Sequence, residues 1–349
     1  MKKAVIFSLA GPAIMLAFAT LSLADESREH AMRGVDLEQE QAEALEARLE
    51  QEPGDMNARI QLLGYYFLRQ HDDPEAKAPY ESHVLWVITH APDAAIASTP
   101  FTSLNSASNP HAFEKASELW RQHVEDHPEN TTLLGHAASF FTPERLDQAA
   151  EYLEAAKALE PDVARWPKEL ASIYRLRLLR ADVEHRQALA AMALEQLEQA
   201  YALLGDDQER RFYLLNDLGQ HAFTAGELEK AEGYALELLK QAEQRPDDWN
   251  YGNAIHDGHT TLGRLALRNG EPEQAVEHLA SAGRTPGSPQ LNSFGPNLSL
   301  ADELLKAGER DAVLDYLDAI ERFWPNPRLE PWRQAIRDGR TPALGRFVH

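Results

Sequence analysis

The chain repeats itself at a fixed interval. Leu218-Gly219, Ala225-Gly226 and Ala231 return as Leu262-Gly263, Asn269-Gly270 and Ala275, so each small-residue landmark moves by 44 residues. The phrase Ala225-Gly226-Glu227 recurs as Asn269-Gly270-Glu271 and again as Ala307-Gly308-Glu309, the last two 38 residues apart. The first two copies each read as a helix carrying Leu-Gly, a short turn containing Gly-Glu, and a second helix four to five residues later. A period of this size marks an array of supersecondary units, none of which buries its apolar face alone. The spacing predicts helical hairpins that stack on one another.

The residue types agree. Alanine, leucine, glutamate, glutamine and arginine dominate, and these lose little freedom in a helix. Alternating runs rich in valine, isoleucine and threonine are scarce, which leaves little material for strands. Hydrophobic residues make up 43% of the 349, enough for a buried core.

These phrases resemble the tetratricopeptide repeat, in which two small residues let the paired helices approach and cross. Gly219 with Ala231, Gly263 with Ala275, and Gly64 with Ala76 all show the same separation of 12. Ala149, Leu153, Ala156 and the closing Pro161 fit the second half of a unit. Trp166, Leu170, Ala171 and Tyr174 fit the start of the next, with the tryptophan displaced by one position. The periods of 44 and 38 exceed the family's usual period of about 34, so helices are longer or linkers are inserted. A Sel1-like or other helical-hairpin array is the alternative.

The resemblance implies an all-α, right-handed α-solenoid of about six to seven helix pairs, forming a single domain over 25–349 with its clearest repeats at 209–325. It also implies a concave groove lined by the first helix of each pair. Carried over unit by unit, the groove positions fall on Tyr213, Asn216 and Gln220, then on Asp257, Thr260 and Arg264. The expected guest is a protein or peptide, with no cofactor.

Punctuation sets the expected layout. Residues 25–50 read as one charged helix with Leu37, Ala42, Leu45 and Leu49 on a thin apolar stripe. A pair over 55–91 opens at Asp55, a good N-cap residue, and Pro92 to Pro110 reads as a loop. Thr142-Pro143 reads as a helix start inside the pair 131–159, the hydroxyl capping and the proline filling the first turn. Tyr65, Tyr66, Trp86, Trp120, Trp166 and Tyr174 follow helical spacing and are expected in the core.

The first residues read as an address. Lys2 and Lys3 precede an apolar stretch from Ala4 to Leu23, and Ser22 and Ala24 are the small residues of a cleavage site ahead of Asp25-Glu26. This is the pattern of a secretory signal cut after Ala24, leaving a periplasmic or secreted protein with no membrane insertion. The alternative is an inner-membrane anchor through uncleaved residues 4–23, which are long enough to span. The absence of cysteine suits an oxidising compartment, and it excludes disulfides, thiolate metal sites and cysteine nucleophiles.

The formal net charge of −22 repels phosphate backbones and anionic headgroups, so nucleic acid is not an expected partner. The chain holds no glycine-rich phosphate loop, no Gly-x-Ser-x-Gly elbow and no His-Glu-x-x-His. Its best metal motif is the pair His256 and His259, three apart on one helical face, without an evident third ligand. Ser288 to Asn297 reads as a connection between hairpins in which Asn292 and Phe294 are binding candidates; the alternative is a loop packed over the array, with Asn297 or Ser299 capping the next helix. The expected function is therefore an exported, non-catalytic scaffold for a protein or peptide. The alternative is an envelope hydrolase on a helical scaffold, metal-dependent through His256 and His259.

Overall fold

The computed structural model describes residues 26–344, and the leader-like stretch 1–24 lies outside the described residues. Those residues form α-helices joined by turns and two 3-10 turns, with no strand among them. They divide into two compact units, one ending at Asp162 and the other beginning at Val163.

The first unit contains α1 (Glu26–Val35), α2 (Gln39–Gln51), α3 (Met56–Arg69), α4 (Pro74–His90), α5 (Pro110–Asp126), α6 (Thr131–Phe141) and α7 (Leu146–Leu159). The single helix expected over 25–50 is two. Glu38 starts α2 with a reciprocal capping box, its backbone N–H donating to Gln41 Oε1 at 2.9 Å. The carbonyls freed at the break are taken up by the Arg69 guanidinium, which donates to Val35 O at 3.3 Å and Leu37 O at 3.1 Å. A charge run gives no hint of that partner 32 residues away.

Helix α1 packs on α3 backbone to backbone. A Cβ at Gly64 would lie 1.8 Å from the Ala31 carbonyl oxygen, and one at Gly34 would lie 2.0 Å from that of Gln61. The small residue at Gly64 is therefore required by α1, whereas the repeat spacing had paired it with Ala76. Asp55 caps α3 as expected, accepting from Ala58 N at 3.1 Å. Arg59 is buried and joins α3 to α4, donating to His83 Nδ1 at 3.0 Å and lying 3.8 Å from the Trp86 ring centroid.

The segment from Pro92 to Pro110 is a packed connection. Two 3-10 turns, Ala95–Ser98 and Pro100–Thr102, bury Ile96, Phe101 and Thr102. Thr102 Oγ1 donates to Ile96 O at 3.0 Å, and buried Tyr80 donates to Ser103 O at 2.7 Å. The buried backbone thus finds its partners inside the loop and on the helices against it. Thr142 also departs from expectation. It ends α6, its hydroxyl donating to Ala138 O at 2.8 Å, and α7 begins four residues later at Leu146.

The second unit contains α8 (Arg165–Arg180), α9 (Val183–Leu203), α10 (Gln208–Ala225), α11 (Leu228–Glu243), α12 (Tyr251–Arg268), α13 (Pro272–Gly283), α14 (Pro289–Phe294), α15 (Ser299–Ala307), α16 (Arg310–Ile320) and α17 (Leu329–Arg337). Helices α8/α9, α10/α11, α12/α13 and α15/α16 are antiparallel neighbours in sequence, and each hairpin packs on the next. The turns inside the last three pass through Gly226, Gly270 and Gly308, at φ 87°, 79° and 103°. These are the three glycines of the recurring phrase. Ala149, Leu153, Ala156, Trp166, Leu170, Ala171 and Tyr174 are all buried, as the resemblance implies. Among the described residues both units are all-α, and the second is a stack of helical hairpins.

Candidate functional site

The first helices of two consecutive hairpins in the second unit, α10 and α12, carry the groove positions that the sequence implies. Large apolar residues of α10, Phe212, Leu215 and Leu218, face the core, which leaves the half-buried polar side chains on the other flank. Asn216 and Gln220 are one turn apart there, and Gln220 Nε2 donates to Asn216 Oδ1 at 2.9 Å. Among the described residues this pair then retains an unspent donor, Asn216 Nδ2, and an unspent acceptor, Gln220 Oε1.

Arg264 is the hub of α12. Its Nε and Nη2 both donate to Glu303 Oε1 on α15, at 2.9 and 2.7 Å, and its guanidinium carbon lies 4.1 Å from the centroid of Phe223 on α10. One side chain thus ties the first helices of three successive hairpins together. Thr260 is buried, at 4% exposure, and presents nothing to a guest. Asp257 is half-buried and accepts from His256 Nδ1 at 2.9 Å.

Tyr213 stands near the start of α10. Its hydroxyl donates to Asp248 Oδ2 at 3.1 Å, and its ring stacks on Trp249 with centroids 5.3 Å apart and planes 26° from parallel. Burial first, and then the bonded Asp248 carboxylate and the Glu209 charge, hold the Tyr213 phenol above its ordinary value. The groove positions therefore separate into an amide pair, an arginine hub and an aromatic stack.

The two histidines of the metal motif take different partners. His256 is fully buried; with Nδ1 donating to Asp257, its Nε2 accepts from the Tyr316 hydroxyl at 2.9 Å. His259 Nδ1 instead meets His278 Nδ1 on α13 at 3.0 Å. Burial, and after it the neighbouring His278, Arg284 and His256, pull His259 down to about 4. Burial also lowers His278. Among the described residues no group of three or more histidine, cysteine or acidic side chains is placed to hold a metal ion.

The loop candidates are partly held. Residues 289–294 form the short helix α14, with Ser288 Oγ accepting from Leu291 N at 3.0 Å and donating to Asn253 Oδ1 at 2.6 Å. Asn297 Oδ1 accepts from Ser299 N at 3.0 Å at the entry to α15. With its amide nitrogen turned towards them, Asn292 donates to the carbonyls of Ser288 and Phe323. Phe294 is 44% exposed.

Sequence reasoning missed Glu303, Tyr316, His278 and Trp249. The first three sit on helices 19 to 60 residues from their partners and carry no local sign. Trp249 carried one: it stands between helices, directly after Asp247-Asp248, where a core aromatic is not expected.

No protein-family model matches the chain. No curated protein matches it either. Among solved structures it is similar to that of PilF from Pseudomonas aeruginosa, at 16% identity over 76% of this chain and 99% of that one, with a TM-score of 0.39. It is also similar to a chain of the APC/C hetero-tetramer Cut9–Hcn1, at 14% identity over 93% of this chain and 65% of that one, with a TM-score of 0.40. Both are tetratricopeptide proteins. At these identities and scores neither likeness bears on function, so the fold assignment stands on the hairpins, turns and small-residue spacing described above. By those features the chain is a tetratricopeptide-like, all-α repeat protein.

Proposed function

We propose that this protein is an exported scaffold that binds a protein or peptide through the polar flank of α10 and α12, without transforming it. The observation that carries this is the Asn216–Gln220 pair, whose spare N–H and spare carbonyl match the acceptor and donor of an extended peptide bond. The Arg264 hub supports it by fixing the flank in place, because a guest loses less when its site is already ordered.

The test is co-purification from an envelope extract on immobilised protein, comparing the natural chain with an Asn216→Ala/Gln220→Ala variant. A stoichiometric protein partner is expected, with recovery reduced about tenfold in the variant, as the loss of two hydrogen bonds implies. A partner held equally by both chains would place binding elsewhere. Export is the part of this reading that the sequence supports, since Lys2, Lys3, the apolar stretch and Ala24 follow the pattern of a secretory signal. Intact-mass measurement of the protein from its native envelope should give a chain beginning at Asp25; a chain retaining 4–23 would make it a membrane-anchored scaffold instead.

A further inference from the structure

Trp249 is the unusual aromatic of the second unit. It is 48% exposed and follows Asp247 and Asp248 in the connection between α11 and α12. One face rests on Tyr213, which is itself tethered by Asp248. Asp248 is tethered in turn, its Oδ1 accepting from Asn250 N at 2.7 Å. An indole held this way is an ordered platform, so little motion remains to be lost when something covers its open face.

Elsewhere the chain covers such rings with its own arginines. Arg59 lies over Trp86, Arg69 over Tyr65, Arg165 over Trp166, Arg211 over Tyr201 and Arg245 over Phe212. No cation lies over Trp249 among the described residues. The arginines of α10 and of the connection after α11 are engaged: Arg210 with Asp207 Oδ2 at 3.3 Å, Arg211 with Gly205 O at 2.8 Å and Arg245 with Gln241 Oε1 at 3.0 Å. Meanwhile three carboxylates around the platform have no cationic partner among the described residues. Glu209 and Asp247 are exposed, and Asp248 accepts only from neutral donors.

We infer that Trp249 is the docking platform for a cationic side chain, arginine foremost, in a basic segment of the partner polypeptide, with Glu209, Asp247 and Asp248 as its counter-charges. A planar guanidinium stacks on the indole face while its edge N–H groups reach the carboxylates, which an ammonium does less well. The net charge of −22 draws such a segment in and repels an acidic one. This deepens the scaffold reading and rests on it for the partner being a polypeptide; it adds that the partner is basic at this point.

The experiment titrates the full chain with an acetylated, amidated octapeptide alternating glycine and arginine. A glycine–glutamate octapeptide is the control. Calorimetry and the Trp249 indole N–H resonance are the readouts. The arginine peptide should bind and shift that resonance, and the glutamate peptide should do neither. Trp249→Ala should weaken binding about tenfold while Trp249→Phe keeps most of it. Glu209→Gln/Asp247→Asn should weaken it about fivefold, and the charge-matched Glu229→Gln/Glu232→Gln on α11 by less than twofold.

No binding of the arginine peptide, equal binding of the two peptides, an effect of Trp249→Ala below twofold, or equal losses in the two charge-matched pairs would each overturn the inference. If any of these occurs while Asn216→Ala/Gln220→Ala still loses its envelope partner, the scaffold reading stands and the basic-segment inference alone falls. If that partner is unaffected by the amide variant while the arginine peptide still depends on Trp249, the amide groove falls and the platform stands.

Discussion

The two units spend glycine mainly on different work, although Gly252 in α12 of the second also admits a backbone carbonyl, that of Gly287, to 1.8 Å from where a Cβ would stand. In the first, Gly34 and Gly64 lie inside helices, and each admits the backbone of a crossing helix to about half the distance a Cβ would tolerate. In the second, Gly205, Gly226, Gly270, Gly287, Gly295, Gly308 and Gly339 all have positive φ, and among the described residues the first unit has no glycine of that kind. Close crossing and chain reversal are the two things a missing Cβ permits. The turn glycines Gly226, Gly270 and Gly308 sit at the same place in three hairpins and so repeat in the sequence. A crossing glycine is placed by whichever helix happens to lie across it, so it need not repeat.

The sharpest way to break this contrast is to add one methyl group at each kind of site. Gly64→Ala forces a carbon to within 1.8 Å of the Ala31 carbonyl oxygen, and because that atom is backbone it moves only if α1 moves. The expected cost is about 3 kcal/mol, the upper part of the range for overpacking a close contact. Thermal denaturation should show it, and limited proteolysis should cut residues 26–51 faster as α1 loosens. An unchanged melting temperature would mean that α1 does not pack on α3 as described.

A second test uses the His259–His278 pair, which lies in the second unit between the two helices of one hairpin. His259 is depressed from its ordinary 6.5 to about 4, by burial first, so the folded protein resists a proton that the unfolded chain accepts. Its contribution to stability is intact above pH 6.5, falls as the pH drops through that value, and levels off below about 4. With the partly exposed ring screened by water, the loss should amount to roughly 1–2 kcal/mol. Melting curves of the natural chain and a His259→Asn variant between pH 7 and 4.5 should converge on acidification. Parallel curves would show that the pair does not sense the proton.

Turn glycines should respond more weakly. Gly270 has φ 79° and nothing within 4 Å of where a Cβ would stand, so Gly270→Ala carries strain without collision. That strain costs about 1 kcal/mol. A loss as large as that of Gly64→Ala, measured by the same denaturation, would remove the distinction between the two uses of glycine.

How much was legible follows the same division. The hairpins over 208–320 were readable because Gly226, Gly270 and Gly308 mark their turns in sequence. The break between α1 and α2 was not, because the groups that satisfy it belong to Arg69. The connection 92–110 reads as a loop by composition, yet it is packed, because Thr102 from within and Tyr80 from α4 satisfy its carbonyls. For the site, the amide pair and Arg264 follow from helix register. The Glu303, Tyr316 and His278 contacts depend on which hairpins meet, and a single sequence carries no sign of that.

Gly219 is the smallest effect and the most instructive. By repeat spacing it is the counterpart of Gly64, with Ala231 standing to it as Ala76 stands to Gly64. Yet a Cβ there would meet Tyr234 Cβ at 3.8 Å and Ala231 O at 3.9 Å, ordinary contact distances, so α10 and α11 do not need the glycine. Without a collision, the difference that remains is the entropy of the unfolded chain, which favours alanine in a helix interior by about 0.5–1 kcal/mol. Gly219→Ala should therefore raise the melting temperature slightly, against the marked fall expected for Gly64→Ala at the matching position. If both substitutions destabilised alike, the crowding at Gly64 would belong to the hairpin itself rather than to α1, and the two units would share one packing rule after all.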